Sequence, residues 1–194
     1  KNINWLVKLH PANVWRRNME KINTEMTELV MIRNKFGTLP PNVKIIFPED
    51  NISTLSLLKI IDYGVTIRGT SGIEISTFGK PCITGGTGRY SHLGFTIDSD
   101  NKEDYLKKIK NIHLIENLSK KQTKLAKWYA YATFDLRIFE LKGAKAKFKS
   151  LKSGHHPLGY NLFIINNDKA NLNSNKELRN FSNWVESDNV DFIK

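Results

Sequence analysis

The stretch with the most chemical character reads Arg68-Gly69-Thr70-Ser71-Gly72-Ile73-Glu74. Two hydroxyl residues, Thr70 and Ser71, stand between two glycines, with a guanidinium just before and a carboxylate just after. Residues 63–67, "YGVTI", are β-prone, and residues 71–78 carry a helical mixture. A strand that ends in glycine and opens a helix leaves backbone N–H groups unpaired at the helix start. The aligned peptide dipoles add partial positive charge there, and phosphate is the natural guest. Glycines let the backbone come close, the hydroxyls of Thr70 and Ser71 can donate to phosphate oxygens, and Arg68 adds charge. Glu74 repels anions, but one helical turn in it can accept from the hydroxyls of a ribose. Amides and hydroxyls for phosphate, with a carboxylate for sugar, suit a nucleotide or nucleotide-sugar. The plainer alternative is that Ser71 caps the helix and Glu74 completes a capping box. The stretch matches neither the P-loop nor the G-x-G-x-x-G fingerprint.

Other candidates lie at the ends of other apolar runs. Lys8 and His10 close the first, in "KLHP"; Glu49 follows the second, in "FPE"; Arg89, Tyr90 and His92 fall in the glycine-rich "GGTGRYSHLG" of residues 85–94. His155 and His156 are adjacent, without a carboxylate or cysteine at ligand spacing, so no metal site is expected. The single cysteine, Cys82, excludes an internal disulfide framework, suits a reducing cytosol and reads as a small buried hydrophobe.

The elements that must hold these residues alternate. Strands are expected over 3–9, 43–47, 63–67, 81–84 and 95–97. Helices are expected over 14–36, from a cap at Ser53 or Thr54 through Ile61, over 71–78 with Gly79 as C-cap, and over 101–109 capped by Asn101. This rhythm predicts an α/β fold, a Rossmann-like parallel sheet flanked by helices. Ligands of such sheets sit at the carboxyl ends of the strands, where the polar candidates fall, so they are expected to converge on one sheet edge. Residues 119–142 read as one long helix whose aromatics, among them Trp128, Tyr129, Tyr131, Phe134 and Phe139, serve core packing. The expected domains are 1–140, Rossmann-like and incomplete at its start, and 141–194, a helical, basic extension with loop or partial disorder over 165–180.

The 194 residues carry a net charge of +11, concentrated in the second half, where residues 142–152 hold five lysines and no acid. That run is expected to meet anionic lipid at the inner face of the cytoplasmic membrane. No zinc-finger spacing, basic zipper or RNP-type strand accompanies it, so no specific nucleic-acid partner is expected. No apolar run is long enough to span a bilayer and no signal peptide is visible. The chain opens at Lys1 and enters a strand at once, which suggests a segment of a longer protein.

The order "KLHP", "FPE", "DYGVTIRGTSGIEISTFGKPCI" and "GGTGRYSHLGFT" resembles the C-terminal Rossmann-like half of a GT-B glycosyltransferase, nearest the bacterial capsule polysaccharide biosynthesis proteins, over residues 3–110. The resemblance implies a glycosyltransferase of surface polysaccharide synthesis, hexosyl- or Kdo-type, joined to an acceptor-binding N-terminal half. The implied partners are a CMP- or UDP-linked sugar donor and a glycan or glycolipid acceptor; no other cofactor is implied. It puts His10, Thr70 and Ser71 on the donor phosphate and Glu74 on the ribose; Lys80 matches the pattern as well. Thr66 stands where many retaining relatives carry a second Glu, so that motif is incomplete. The alternatives are a nucleotide-sugar 2-epimerase-like enzyme on the same fold, and a non-catalytic basic module binding a membrane surface or nucleic acid.

Overall fold

The computed structural model describes residues 3–10, 26–50, 52–138, 144–148, 160–164, 174–190 and 192. In chain order the elements are β1 (Trp5–Lys8), α1 (Thr27–Phe36), β2 (Val43–Ile46), α2 (Thr54–Ile60), β3 (Gly64–Thr66), α3 (Ser71–Thr77), β4 (Cys82–Thr84), β5 (Ile97–Asp98), α4 (Lys102–Lys110), α5 (Lys120–Tyr131), β6 (Ala144–Phe148), β7 (Tyr160–Ile164) and α6 (Lys176–Val185). The chain is a mixed α/β protein with short parallel sheets flanked by helices, an arrangement compatible with a Rossmann-like fold.

The chain divides into two compact units, Ser53–Ile138 and, from two stretches, Asn2–Ile52 with Phe139–Phe192. The expected boundary at 140 falls outside the described residues. In the 53–138 unit, β4 is the central strand of the order β3-β4-β5, parallel throughout, with Gly64 opposite Cys82 and Ile83 opposite Ile97. In the other unit β1 pairs β2 in parallel, Trp5 opposite Val43 and Lys8 opposite Ile46, and β6 pairs β7 antiparallel. The strands expected in one sheet are hydrogen-bonded as two parallel sheets among the described residues, one in each unit.

Local chemistry sets the element ends in the 53–138 unit. Helix α3 stops in a glycine turn: Gly79, at φ +75°, donates its N–H to Ser76 O at 3.0 Å, and Lys80 N–H reaches Ile75 O at 3.4 Å. This is the Schellman arrangement, which needs a left-handed residue that glycine supplies without a Cβ clash. Asn101 caps α4 by accepting from Asp104 N–H at 2.9 Å. Ser119 and Gln122 form a reciprocal capping box on α5. The long helix expected over 119–142 ends early: α5 gives way to one wide turn, Ala132–Leu136, in which Arg137 N–H donates back to Ala132 O at 3.1 Å. Five-residue closure of that kind is a π-type turn.

Helix α3 sits between two cores. On one side Ile73 joins Tyr90, Phe95 and Ala126; on the other Ile75 joins Leu58 and Cys82. Alternate isoleucines thus face opposite clusters, and each fully buried aliphatic side chain contributes about 2 kcal/mol. Gly64 lets Ile75 approach the sheet, for a Cβ there would collide with Ile75 and stand 3.2 Å from Cys82 Sγ. Phe95, expected in a strand, instead precedes β5 and is fully buried.

The described part of the expected 14–36 helix is α1, starting at Thr27; residues 14–25 lie outside the described set. The expected loop over 165–180 contains the start of α6, which Asn175 caps by accepting from the N–H groups of Glu177 and Leu178. Part of the expected helical extension is the β6–β7 pair. His155, His156 and the side chains of residues 142–152 lie outside the described set.

Candidate functional site

In the 53–138 unit the loops after β3 and β4 meet at the carboxyl end of the sheet. Beyond Thr66 the chain turns at Gly69, whose N–H donates to Thr66 Oγ1 at 3.2 Å. The turn closes early, with Gly72 N–H donating to Gly69 O, and Ile73 and Glu74 N–H donating to Thr70 O, all within 2.9–3.1 Å. Three amides that the sequence offered to an anion are thereby used within the turn. The N–H groups of Thr70 and Ser71 have no acceptor among the described residues. The alternative reading, a capping box from Ser71 and Glu74, is absent, since Thr70 occupies the cap position in helical geometry and no side chain caps α3. Arg68, Gly69 and Thr70 are exposed, Ser71 and Glu74 half-buried. The Thr70 and Ser71 hydroxyls are therefore not committed to capping.

The 85–94 loop folds onto this corner. Tyr90 Oη donates to Gly69 O at 2.6 Å, and the ring lies on Gly72, where a Cβ would collide with the hydroxyl and stand 2.8 Å from Cζ. Gly72 is thus required by close packing. Tyr90 is buried against Ile73, Phe95 and Ala126, so its role here is that of a latch between loop and turn. Burial, with the nearby Cys82 and Asp98, pushes its phenol up to about 12. Arg68 runs along the same loop, its Cγ 3.3 Å from where a Cβ on Gly86 would be.

Helix α5 and Asp98 hold the loop from behind. Tyr129 Oη donates to Arg89 O at 2.9 Å, and Gln122 Nε2 to Gly94 O at 3.0 Å. Asp98 accepts from Thr84 Oγ1 at 2.8 Å, Thr96 Oγ1 at 2.9 Å and His92 N–H at 2.8 Å. His92 adopts φ +63°, unusual for a residue with a Cβ. Its backbone is held there by the Asp98 contact, while its side chain is exposed. Sequence reasoning missed Asp98 and Gln122, and gave Tyr129 its core packing but not its bond to Arg89 O. An aspartate two residues past a threonine at a strand end was the available signal for the first.

Lys8, His10 and Glu49 lie in the other unit. Lys8 ends β1 and donates through Nζ to Ile52 O at 3.0 Å. His10 follows Leu9, whose N–H donates to Ile46 O at 3.0 Å, and Glu49 sits in the turn after β2. Both exposed side chains follow the carboxyl ends of a parallel pair. The structure therefore gathers Arg68, Gly69, Thr70, Ser71, Gly72, Glu74, Arg89 and Tyr90 around one sheet end, and Lys8, His10 and Glu49 around another.

Among the described residues no group of three or more His, Cys, Asp and Glu is placed to hold a metal ion, and no helix is long and apolar enough to cross a membrane. Comparison with known protein families, with curated proteins and with solved structures finds no match.

Proposed function

We propose that the 53–138 unit binds the phosphate and ribose of a nucleotide-sugar at the corner formed by residues 68–74, as the donor-binding part of a glycosyltransferase of bacterial surface polysaccharide synthesis. The observation that carries this reading is the Tyr90–Gly69 hydrogen bond, which holds a glycine-rich loop against a glycine–hydroxyl turn at the carboxyl end of a parallel sheet. The corner offers an anion the N–H groups of Thr70 and Ser71, their two hydroxyls and the Arg68 guanidinium. Glu74, one turn on, has the acceptor oxygens that ribose hydroxyls require. The biological setting rests on the resemblance alone.

In glycosyl transfer the bond from the anomeric carbon to the phosphate oxygen breaks, and negative charge grows on the departing nucleotide. Fixed donors around that oxygen stabilise the charge as it develops, and they need no reorganisation to do so. The phosphate role that the resemblance implies for His10 falls on the other unit and is tested separately.

Calorimetric titration of the full chain with CMP, CDP, UDP and GDP tests the reading. At least one pyrimidine nucleotide is expected to bind, and T70A/S71A is expected to weaken it about tenfold, the effect of losing one or two good hydrogen bonds to a charged group. No binding by any of the four, or equal binding by the double variant, rejects the corner. His10→Ala tests the histidine separately, and an unchanged affinity removes it from the donor site.

A further inference from the structure

Helix α5 has two faces of opposite character. One is spent inside the 53–138 unit: Ala126 is fully buried, Tyr129 and Ala130 pack on the same cluster, and Gln122 and Tyr129 hold the 85–94 loop. The other carries Lys120, Lys121, Lys124 and Lys127, with no acid between Glu116 and Asp135. None of the four has an ion-pair partner among the described residues. On the same side Trp128 is 61% exposed, Tyr131 55% and Leu125 38%. Lys124 Nζ lies 4.8 Å from the centre of the Trp128 ring, so cation and aromatic form one surface.

We infer that this face of α5 docks on an anionic lipid surface, the helix lying in the headgroup layer with Trp128 and Tyr131 inserted and the four lysines on lipid phosphates. Charge complementarity selects the sign of the partner. The aromatics select a bilayer, because amphipathic rings are favoured at the boundary between headgroups and acyl chains, where long lysine stems can lie beside them with their ammonium groups in water. An interfacial helix of this kind gains from apolar insertion and electrostatic attraction together. The inference is independent of nucleotide binding and of the lysines in residues 142–152.

The test is sedimentation of the full chain with phosphatidylcholine vesicles, with and without about one third phosphatidylglycerol, at low and at physiological salt. Binding is expected only to the anionic vesicles and is expected to weaken with salt. A lysine near such a surface contributes about fivefold, so K124Q/K127Q should weaken binding by roughly tenfold or more. W128S/Y131S should weaken it comparably at unchanged net charge. Brominated phospholipid should quench the tryptophan fluorescence of the parent chain and lose most of that effect in W128F, which keeps the ring hydrophobic and the fold intact. All the replaced side chains are exposed, and circular dichroism checks each variant. Three results overturn the inference: no sedimentation with anionic vesicles; sedimentation that the α5 variants leave unchanged while replacing the five lysines of 142–152 abolishes it; or salt-sensitive binding to single-stranded RNA by the same lysines with no lipid quenching.

Discussion

Cys82 and Tyr90 show how single residues in this unit are set by their surroundings. Cys82 is fully buried in the central strand, and burial, reinforced by the negative charge of Asp98, pushes its thiol up to about 12 from an ordinary value of 9.0. The native chain therefore keeps a proton that the unfolded chain releases near 9. The contribution of Cys82 to stability is complete below that pH, declines as pH rises past it, and has been lost by about 12; Tyr90 adds the same trend from 10.0 upward. Denaturant midpoints measured between neutral and strongly alkaline pH should fall in that direction, and less steeply in Cys82→Ala. A thiol reagent near neutral pH should label Cys82 only after unfolding, because the thiolate is the reactive form. Gly72→Ala drives a methyl group into the Tyr90 ring, and overpacking of this kind costs roughly 1–3 kcal/mol. Tyr90→Phe keeps the ring and loses only the bond to Gly69 O, about 1 kcal/mol. Chemical denaturation should rank the two in that order. The presence of Gly69, Thr70, Ser71, Gly72 and Glu74 in one turn was legible in the sequence. That Tyr90 would cover Gly72, so that no side chain fits there, was not, since 18 residues separate the two.

Among the elements, α3 carries the site and depends on how it ends. Its start has no side-chain cap, and its finish depends on Gly79 in the left-handed region. Gly79→Ala is expected to cost about 1–2 kcal/mol, the penalty of a Cβ at that φ, and the loss should appear as a lower denaturant midpoint. Asn101→Ala removes the side-chain acceptor of Asp104 N–H at the head of α4 and should cost about 1 kcal/mol. Both signals, glycine after a helix and asparagine before one, could be read directly because capping involves residues a few positions apart. Helix α5 was read less well. Its composition is helical to residue 142, yet the helix widens into a π-type turn at Ala132. Its aromatics also divide: Tyr129 packs inward while Trp128 and Tyr131 face out. Side chains one position apart point about 100° apart around a helix axis, so a cluster of aromatics does not say which of them the core receives.

For the molecule as a whole, the decisive feature is that strands of similar sequence character belong to two units with separate sheets. Within the 53–138 unit Phe95 joins the loop, α3 and α5 into one core, its ring 6.1 Å from Tyr90 and 5.5 Å from Tyr129 between centroids. Phe95→Ala should cost about 3–5 kcal/mol. It should also abolish nucleotide binding together with the near-ultraviolet dichroism of the packed tyrosines. Retained nucleotide affinity with that signal lost would separate the site from the core that is said to position it.

The amino-acid order by itself determined the strand–helix alternation, the caps at Gly79 and Asn101, the run of glycines and hydroxyls after β3, and the placing of polar residues just past strand ends. All of these follow from φ/ψ preferences and hydrogen bonds within a few positions of one another. Only the tertiary structure decided which strands pair, that the 85–94 loop lies on the 68–74 turn, that Asp98 ties the loop to its sheet, and which face of α5 remains outside. Those outcomes depend on contacts between segments far apart in the chain, and local preference carries no record of which distant surface will be there to meet them.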